Sequence, residues 1–288
     1  MNAIACTDTR TSSGMFYQRY GAGPADNALV LCHGLASNAS RWRELAKALP
    51  LPSGWLLLCP DLRGHGRSQW RGKLDRHVWG GDLAEMLDTE GIEKAVIGGH
   101  CMGANLALHF ARNRPERCCG LILIEPMLAQ ARVGRMRIKT VLRWILPAMA
   151  WSARLVNALG IRRGELPVLD LHELDRKTRQ AMEEQGSEHA MTSRYASPLP
   201  DLQYLSRAAY FQALCETLKP VPPLSLISQP SLGLISSGGM FGDPELTRRA
   251  LAEMPDCRIE TLAARHWIPT EQPEQMRELI GQWLLTRF

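Results

Sequence analysis

No C-x-x-C pair and no Cys/His group with zinc spacing occurs in the chain, although it holds eight cysteines. That absence excludes the common zinc modules and a thioredoxin-like redox centre, and neither a metal nor a cofactor is expected. The first 13 residues carry no apolar core of a secretion signal. The longest apolar stretch, Val141 to Leu159, is broken by Arg143, Pro147 and Arg154, so no membrane span is expected. Aromatic residues make up only 6% of the chain, and no basic run interleaves with them, which argues against a nucleic-acid partner. No internal repeat or low-complexity tract is visible. Cys32 and Cys59 lie inside apolar runs, where a reduced cysteine packs as a small hydrophobe. The expected setting is therefore reducing and cytoplasmic.

What is present is an alternation. Residues 28–32, 55–59, 95–98, 120–124 and 232–236 are nearly unbroken apolar runs, and the stretches between the early ones read as helices. Continuous runs mark strands covered on both faces, as in a parallel sheet. The fold class expected is α/β, a mostly parallel central sheet with helices on both faces. Residues 1–13 read as a loose start and Met15–Tyr20 as an edge strand. The pattern changes near Met127: residues 127–220 contain no convincing strand, with helices over 132–160, 170–185 and about 201–218. This segment reads as a helical cap inserted into a core domain formed by residues 1–126 and 221–288. Arg132, Arg135, Arg137, Lys139 and Arg143 make a basic face, either a solvated surface or an attraction for an anionic substrate or carrier. Leu142, Trp144, Ile145, Met149 and Trp151 fit a packed core, or the binding of an apolar acyl group. The final helix carries Met276, Leu279, Ile280, Trp283 and Leu284 on one stripe, which should pack on the sheet.

One pentapeptide, Gly99-His100-Cys101-Met102-Gly103, follows the run at 95–98 and precedes a helical stretch. A residue flanked by glycines at ±2 on a strand-to-helix turn has the setting of a nucleophile elbow, with cysteine where serine is usual. The glycines are needed because strand and helix backbones pass close together there. A thiol at a helix N-terminus lies near unpaired amides that stabilise its thiolate.

Together with Leu31-Cys32-His33-Gly34, Asp61-Leu62-Arg63-Gly64-His65-Gly66-Arg67-Ser68 and a late His266, the elbow resembles the α/β-hydrolase superfamily over about residues 15–126 and 225–288. The resemblance implies that Cys101 is the nucleophile and His266 the general base and then acid. It implies an oxyanion hole made by the backbone N–H groups of Leu35 and Met102. His33 would brace its loop, and 61–68 would be a supporting turn. For the acid, Asp243 comes late in its loop, before Pro244, where it suits a helix cap. Glu125, at the end of the strand after the elbow helix, faces the ligand crevice and is preferred; a pair needing no acid also stays open. G-x-C-x-G occurs in dienelactone hydrolases and polyhydroxyalkanoate synthases, but the cap departs from the first and the short chain from the second. The implied chemistry is acyl transfer from a small ester, thioester or lactone, alone or bound to a carrier, through a thioester on Cys101. Release to water makes a hydrolase; release to another nucleophile makes an acyltransferase or cyclase. A non-catalytic binding scaffold is the reading from outside enzymology.

Overall fold

The apolar runs become the middle of one eight-stranded sheet. The computed structural model describes residues 5–134, 144–159, 164–185 and 199–288. Its strands are β1 (Cys6–Arg10), β2 (Phe16–Tyr20), β3 (Asn27–Cys32), β4 (Trp55–Pro60), β5 (Ala95–His100), β6 (Cys118–Ile124), β7 (Ser231–Ser236) and β8 (Cys257–Leu262). Their spatial order is β1-β2-β4-β3-β5-β6-β7-β8. The pairings β1–β2 and β2–β4 are antiparallel and the others parallel.

Helices cover both faces, which is why the strands read as continuous rather than alternating. One face meets α2 (Arg76–Thr89) and α3 (Met102–Asn113); Val30, Cys32 and Ile97 point into that core with Trp79 and Phe110. The other meets the short α1 (Arg43–Ala48) and the C-terminal α9 (Pro273–Arg287); Leu29, Leu31 and Val96 point there with Trp42, Met276, Ile280, Trp283 and Leu284. The expected stripe on the last helix is thus the one that packs. Cys32 and Cys59 are fully buried, and all eight cysteines are free thiols. No helix among the described residues is long and apolar enough to cross a membrane.

Between β6 and β7 the described residues form no strand. They hold α4 (Leu146–Ala158), α5 (Leu171–Gln185) and α6 (Arg207–Leu218). Helix α5 is fastened to the core: buried Asp175 accepts hydrogen bonds from Arg41 and from the hydroxyl of Thr270, and Leu171 N donates to Ser40 Oγ at 2.9 Å. Beyond β7 come α7 (Pro244–Leu251) and the single turn α8 (Ile268–Glu271).

Four expectations are corrected. Residues 6–10 are not loose. They form β1, a polar strand held by backbone pairing with β2 and by the Arg67–Asp8 ion pair, so no apolar pattern announces it. Consequently β2 is not an edge strand, since β1 and β4 flank it. Arg132 does not open a helix on a basic face. It is buried, extended in a bridge to Gly242, and donates to Leu218 O (2.9 Å) and Thr217 O (3.3 Å) at the C-terminal end of α6. Unpaired carbonyls there attract a cation. Arg135, Arg137, Lys139, Leu142 and Arg143 of the expected helix lie outside the described residues. Trp144, Ile145, Met149 and Trp151 are exposed rather than packed in a core.

Candidate active site

The sheet changes direction at β3: the chain goes from β3 out to β4, then returns to β5 on the other side. Loops leaving β3 and β5 therefore diverge and open a crevice at their C-terminal ends. Register sets what meets there. Cys32 lies beside Gly99 and His100 beside Ile124, so His33, Cys101 and Glu125 leave the same edge of the sheet together.

Cys101 sits at φ 54°, ψ −108°, between β5 and α3. The elbow glycines have a direct steric reason. A Cβ on Gly103 would lie 2.3 Å from Cys32 O, and one on Gly99 2.4 Å from the same oxygen. Among the described residues, the non-glycine positions with positive φ are Ala36, Cys101 and Glu125. All three border this crevice, and strained backbone of this kind gathers at functional sites.

The loop after β3 runs against the elbow: a Cβ on Gly34 would lie 3.6 Å from Cys101 Cβ. His33 fixes it. Leu62 N donates to His33 Nε2 (3.0 Å), so the ring's proton is on Nδ1, which donates to Gly34 O (2.8 Å). Burial pushes this imidazole well below its ordinary range, so it stays neutral in that tautomer. Asp61 braces the same loop from the turn after β4, accepting from Ala39 N and Arg67 N, each at 2.7 Å. Leu35 follows Gly34 in this loop. Met102 opens α3, whose first-turn amides have no partner within the helix.

Glu125 caps β6 at φ 49°. Its Oε1 accepts from Ser236 N (2.5 Å) and its Oε2 lies 3.0 Å from His266 Nδ1. Asn105, one turn into α3, pins the exit of this strand through Met127 N (3.0 Å) and Met127 O (3.1 Å). His266 interacts with Cys101 as well as with Glu125. With Nδ1 on the carboxylate, the thiol faces Nε2. Burial alone would push this imidazole down, but the interactions with Cys101 and Glu125, and their charges, outweigh it and raise it to about 10. The structure thus brings Cys101, Glu125 and His266 together. Asp243 is elsewhere: its Oδ1 accepts from Leu246 N (2.8 Å) as the N-cap of α7.

A histidine whose charged form the fold favours adds stability as long as it is protonated, most of all where both states carry the proton. Its contribution is complete below about pH 6.5 and is lost as pH rises toward 10. Melting temperatures of the wild type and Cys101→Ala across this window should therefore diverge. Removing one partner that raises His266 moves the loss to lower pH; superimposable profiles would refute the coupling.

Sequence reasoning missed two residues that grip the backbone of His266. Glu271 Oε1 accepts from Arg265 N (3.1 Å), His266 N (3.3 Å) and Trp267 N (2.9 Å). His100 Nε2 donates to His266 O (2.9 Å), its ring centroid 4.9 Å from that of His266. The signals were present but silent: His100 is inside the pentapeptide, and Glu271 ends the turn after the histidine. Because Oε1 accepts from all three amides and Oε2 only shares that of Arg265 (3.1 Å), Glu271→Gln should retain most activity. Glu271→Leu should lower kcat by about tenfold to a hundredfold with KM little changed, the cost of a reacting group misplaced by about 1 Å. An unchanged kcat in a folded Leu variant would sink this. Among the described residues, no group of three or more His, Cys, Asp or Glu side chains is placed to hold a metal ion.

Known proteins share this architecture. A family profile described as alpha/beta hydrolase fold matches residues 27–160. Lipase LipV of Mycobacterium tuberculosis is 38% identical over 116 residues, 39% of this chain and 41% of the lipase. An epoxide hydrolase of Caballeronia sordidicola is 36% identical over 100 residues, 34% of this chain and 29% of that protein. The match thus spans less than half the length of either. A thermophilic esterase from Thermogutta terrifontis, solved with malate bound, superposes with a TM-score of 0.67 over 99% of both chains, at 21% identity. Its likeness is one of fold.

Proposed function

We propose that this chain, an α/β-hydrolase in fold, hydrolyses a carboxylic ester, thioester or lactone through a thioester formed on Cys101. The observation that carries the reading is His266, paired through Nδ1 with Glu125 and raised by its interaction with Cys101 at the same crevice. The Cys101 thiolate attacks the acyl carbonyl carbon, and the carbonyl electron pair moves to oxygen. The amides of Leu35 and Met102 hold that oxyanion. As the tetrahedral species collapses, the bond to the leaving alkoxide or thiolate breaks, and His266 gives it the Nε2 proton. Water then enters, His266 takes its proton, and its oxygen attacks the thioester. The thiolate leaves and the acid product departs. Glu125 keeps the imidazole oriented throughout and stabilises it in the steps where it is charged. Residues 127–220 serve as a cap over the core domain, and the substrate is a small acyl compound, alone or on a carrier.

The epoxide relative does not move this reading. A thiolate that opened an epoxide would leave a thioether, which has no carbonyl for water to attack, so turnover would stop after one cycle. A thioester can also pass its acyl group to an alcohol, amine or thiol, which keeps acyl transfer as the variant outcome. Acid quenching during turnover of a p-nitrophenyl ester, followed by peptide mass spectrometry, tests the proposal. The acyl mass is expected on the Cys101 peptide and should vanish in Cys101→Ala. Undiminished turnover in that variant would overturn it.

A further inference from the structure

Helix α5 touches both of the loops that flank the crevice. Toward the loop after β3, Leu171 N donates to Ser40 Oγ (2.9 Å), and Asn38 Nδ2 donates to Leu169 O (2.8 Å) just ahead of the helix. Residues 39–42, a single turn of 3₁₀ helix, continue the chain from Leu35. Toward the turn after His266, the contact is Asp175. Its Oδ1 accepts from Arg41 Nη1 and from the hydroxyl of Thr270 (2.9 Å), and Arg41 Nη1 also donates to Thr270 Oγ1 (2.7 Å). These atoms close a triangle between the loop after β3, α5 and α8. All three residues are buried.

Stability alone does not account for the triangle. Taking a carboxylate and a guanidinium out of water offsets much of their attraction, so well-packed apolar side chains would fasten α5 about as firmly. What directional hydrogen bonds add is a fixed placement. That placement matters because of the residue next to Thr270. Glu271 accepts from the amides of Arg265, His266 and Trp267. Thr270 N and Glu271 N both donate to Trp267 O, each at 2.8 Å, which ties α8 into one short turn. A shift of Thr270 therefore carries Glu271, and with it the backbone of His266.

We propose that Asp175 and Thr270 are positioning residues: α5 sets the place of the α8 turn through the Thr270 hydroxyl, and Glu271 passes that placement to His266. The segment between β6 and β7 then contributes to catalysis as well as to shape. This inference rests on the thioester reading of Cys101, for which His266 must stand in register with the thiol.

Thr270→Val tests it, because valine keeps the shape of the side chain and leaves the Arg41–Asp175 pair in place while removing the hydroxyl. In the folded variant, kcat for a p-nitrophenyl ester should fall about tenfold while KM stays within about twofold, the cost of a reacting group slightly displaced. Thr270→Ser restores the hydroxyl and should stay within about twofold of the wild type. Adding Thr270→Val to Glu271→Leu should lower kcat by no more than about threefold beyond Glu271→Leu alone, because the two residues act in series. Alkylation of Cys101 by iodoacetamide, followed on its peptide, reads the imidazole without turnover, and Thr270→Val should slow it at least about threefold. Thr270→Ala removes the same hydroxyl without setting a methyl group against Arg41, and it takes these measurements if the valine variant does not fold. The proposal is overturned if a folded variant lacking the hydroxyl keeps wild-type kcat and alkylation, even with a lowered melting temperature. It is equally overturned if serine does not rescue, or if the losses from Thr270 and Glu271 multiply. His266→Ala separates this inference from the reading it rests on: alkylation that this variant leaves unchanged overturns the pairing of thiol and imidazole, and the positioning role with it.

Discussion

Replacing Cys101 by alanine is expected to lower kcat for ester hydrolysis by about 10⁴- to 10⁶-fold, the range seen when a covalent nucleophile is removed from a preorganised site. KM should change little, because the β-carbon and the loop around it remain. Alanine at φ 54° tolerates the elbow no worse than cysteine does, so the fold should persist and a thermal melt can verify it. Cys101→Ser separates two roles of the sulfur. A hydroxyl does not ionise at neutral pH and needs a base; His266, raised to about 10 and held by Glu125, would have to become neutral to serve. The serine variant should therefore keep measurable turnover that rises with pH, against a flatter profile for the thiol enzyme. Turnover of the alanine variant within a few-fold of wild type would remove Cys101 from the chemistry.

The positions that meet in the crevice were readable because each sits at a strand end whose run is apolar and unmistakable. Ala95–Gly98 located Cys101, Leu121–Ile124 located Glu125, and a strand followed by a short loop located His266. A parallel sheet turns such linear facts into spatial ones, since its C-terminal ends share an edge. Legibility fails where the stabilising force leaves no periodic trace. Strand β1 is polar and exposed and lives on backbone bonds to β2, so nothing apolar marks it. Arg132 looked like one cation in a basic run, and only the fold shows that the last carbonyls of α6 hold it. Glu271 and His100 act on main-chain atoms of His266. Main-chain acceptors and donors have no sequence identity, so no spacing rule points at their partners. The exposed apolar side of α4 was legible as hydrophobic residues but not as a surface, because burial is a property of neighbours rather than of the helix.

The choice of acid yields the second large effect. Glu125→Gln keeps the size of the side chain and an oxygen for Ser236 N, but it removes the charge that lies 3.0 Å from His266 Nδ1. In serine triads the corresponding loss is about 10⁴-fold. A thiol ionises more readily and leans less on the acid, so a fall of about 10²-fold in kcat is expected. His266 should also titrate lower, because the hydrogen bond and charge of Glu125 are two of the forces that raise it; the alkaline limb of the pH–rate profile should move to lower pH with it. Asp243→Asn should leave both unchanged, since asparagine caps a helix as well as aspartate does and Leu246 N keeps its acceptor. Kinetics and pH profiles of the two variants side by side decide the matter. If Asp243→Asn silences the enzyme while Glu125→Gln does not, the carboxylate beside His266 is scaffolding, and the loop after β7 must move to deliver the acid.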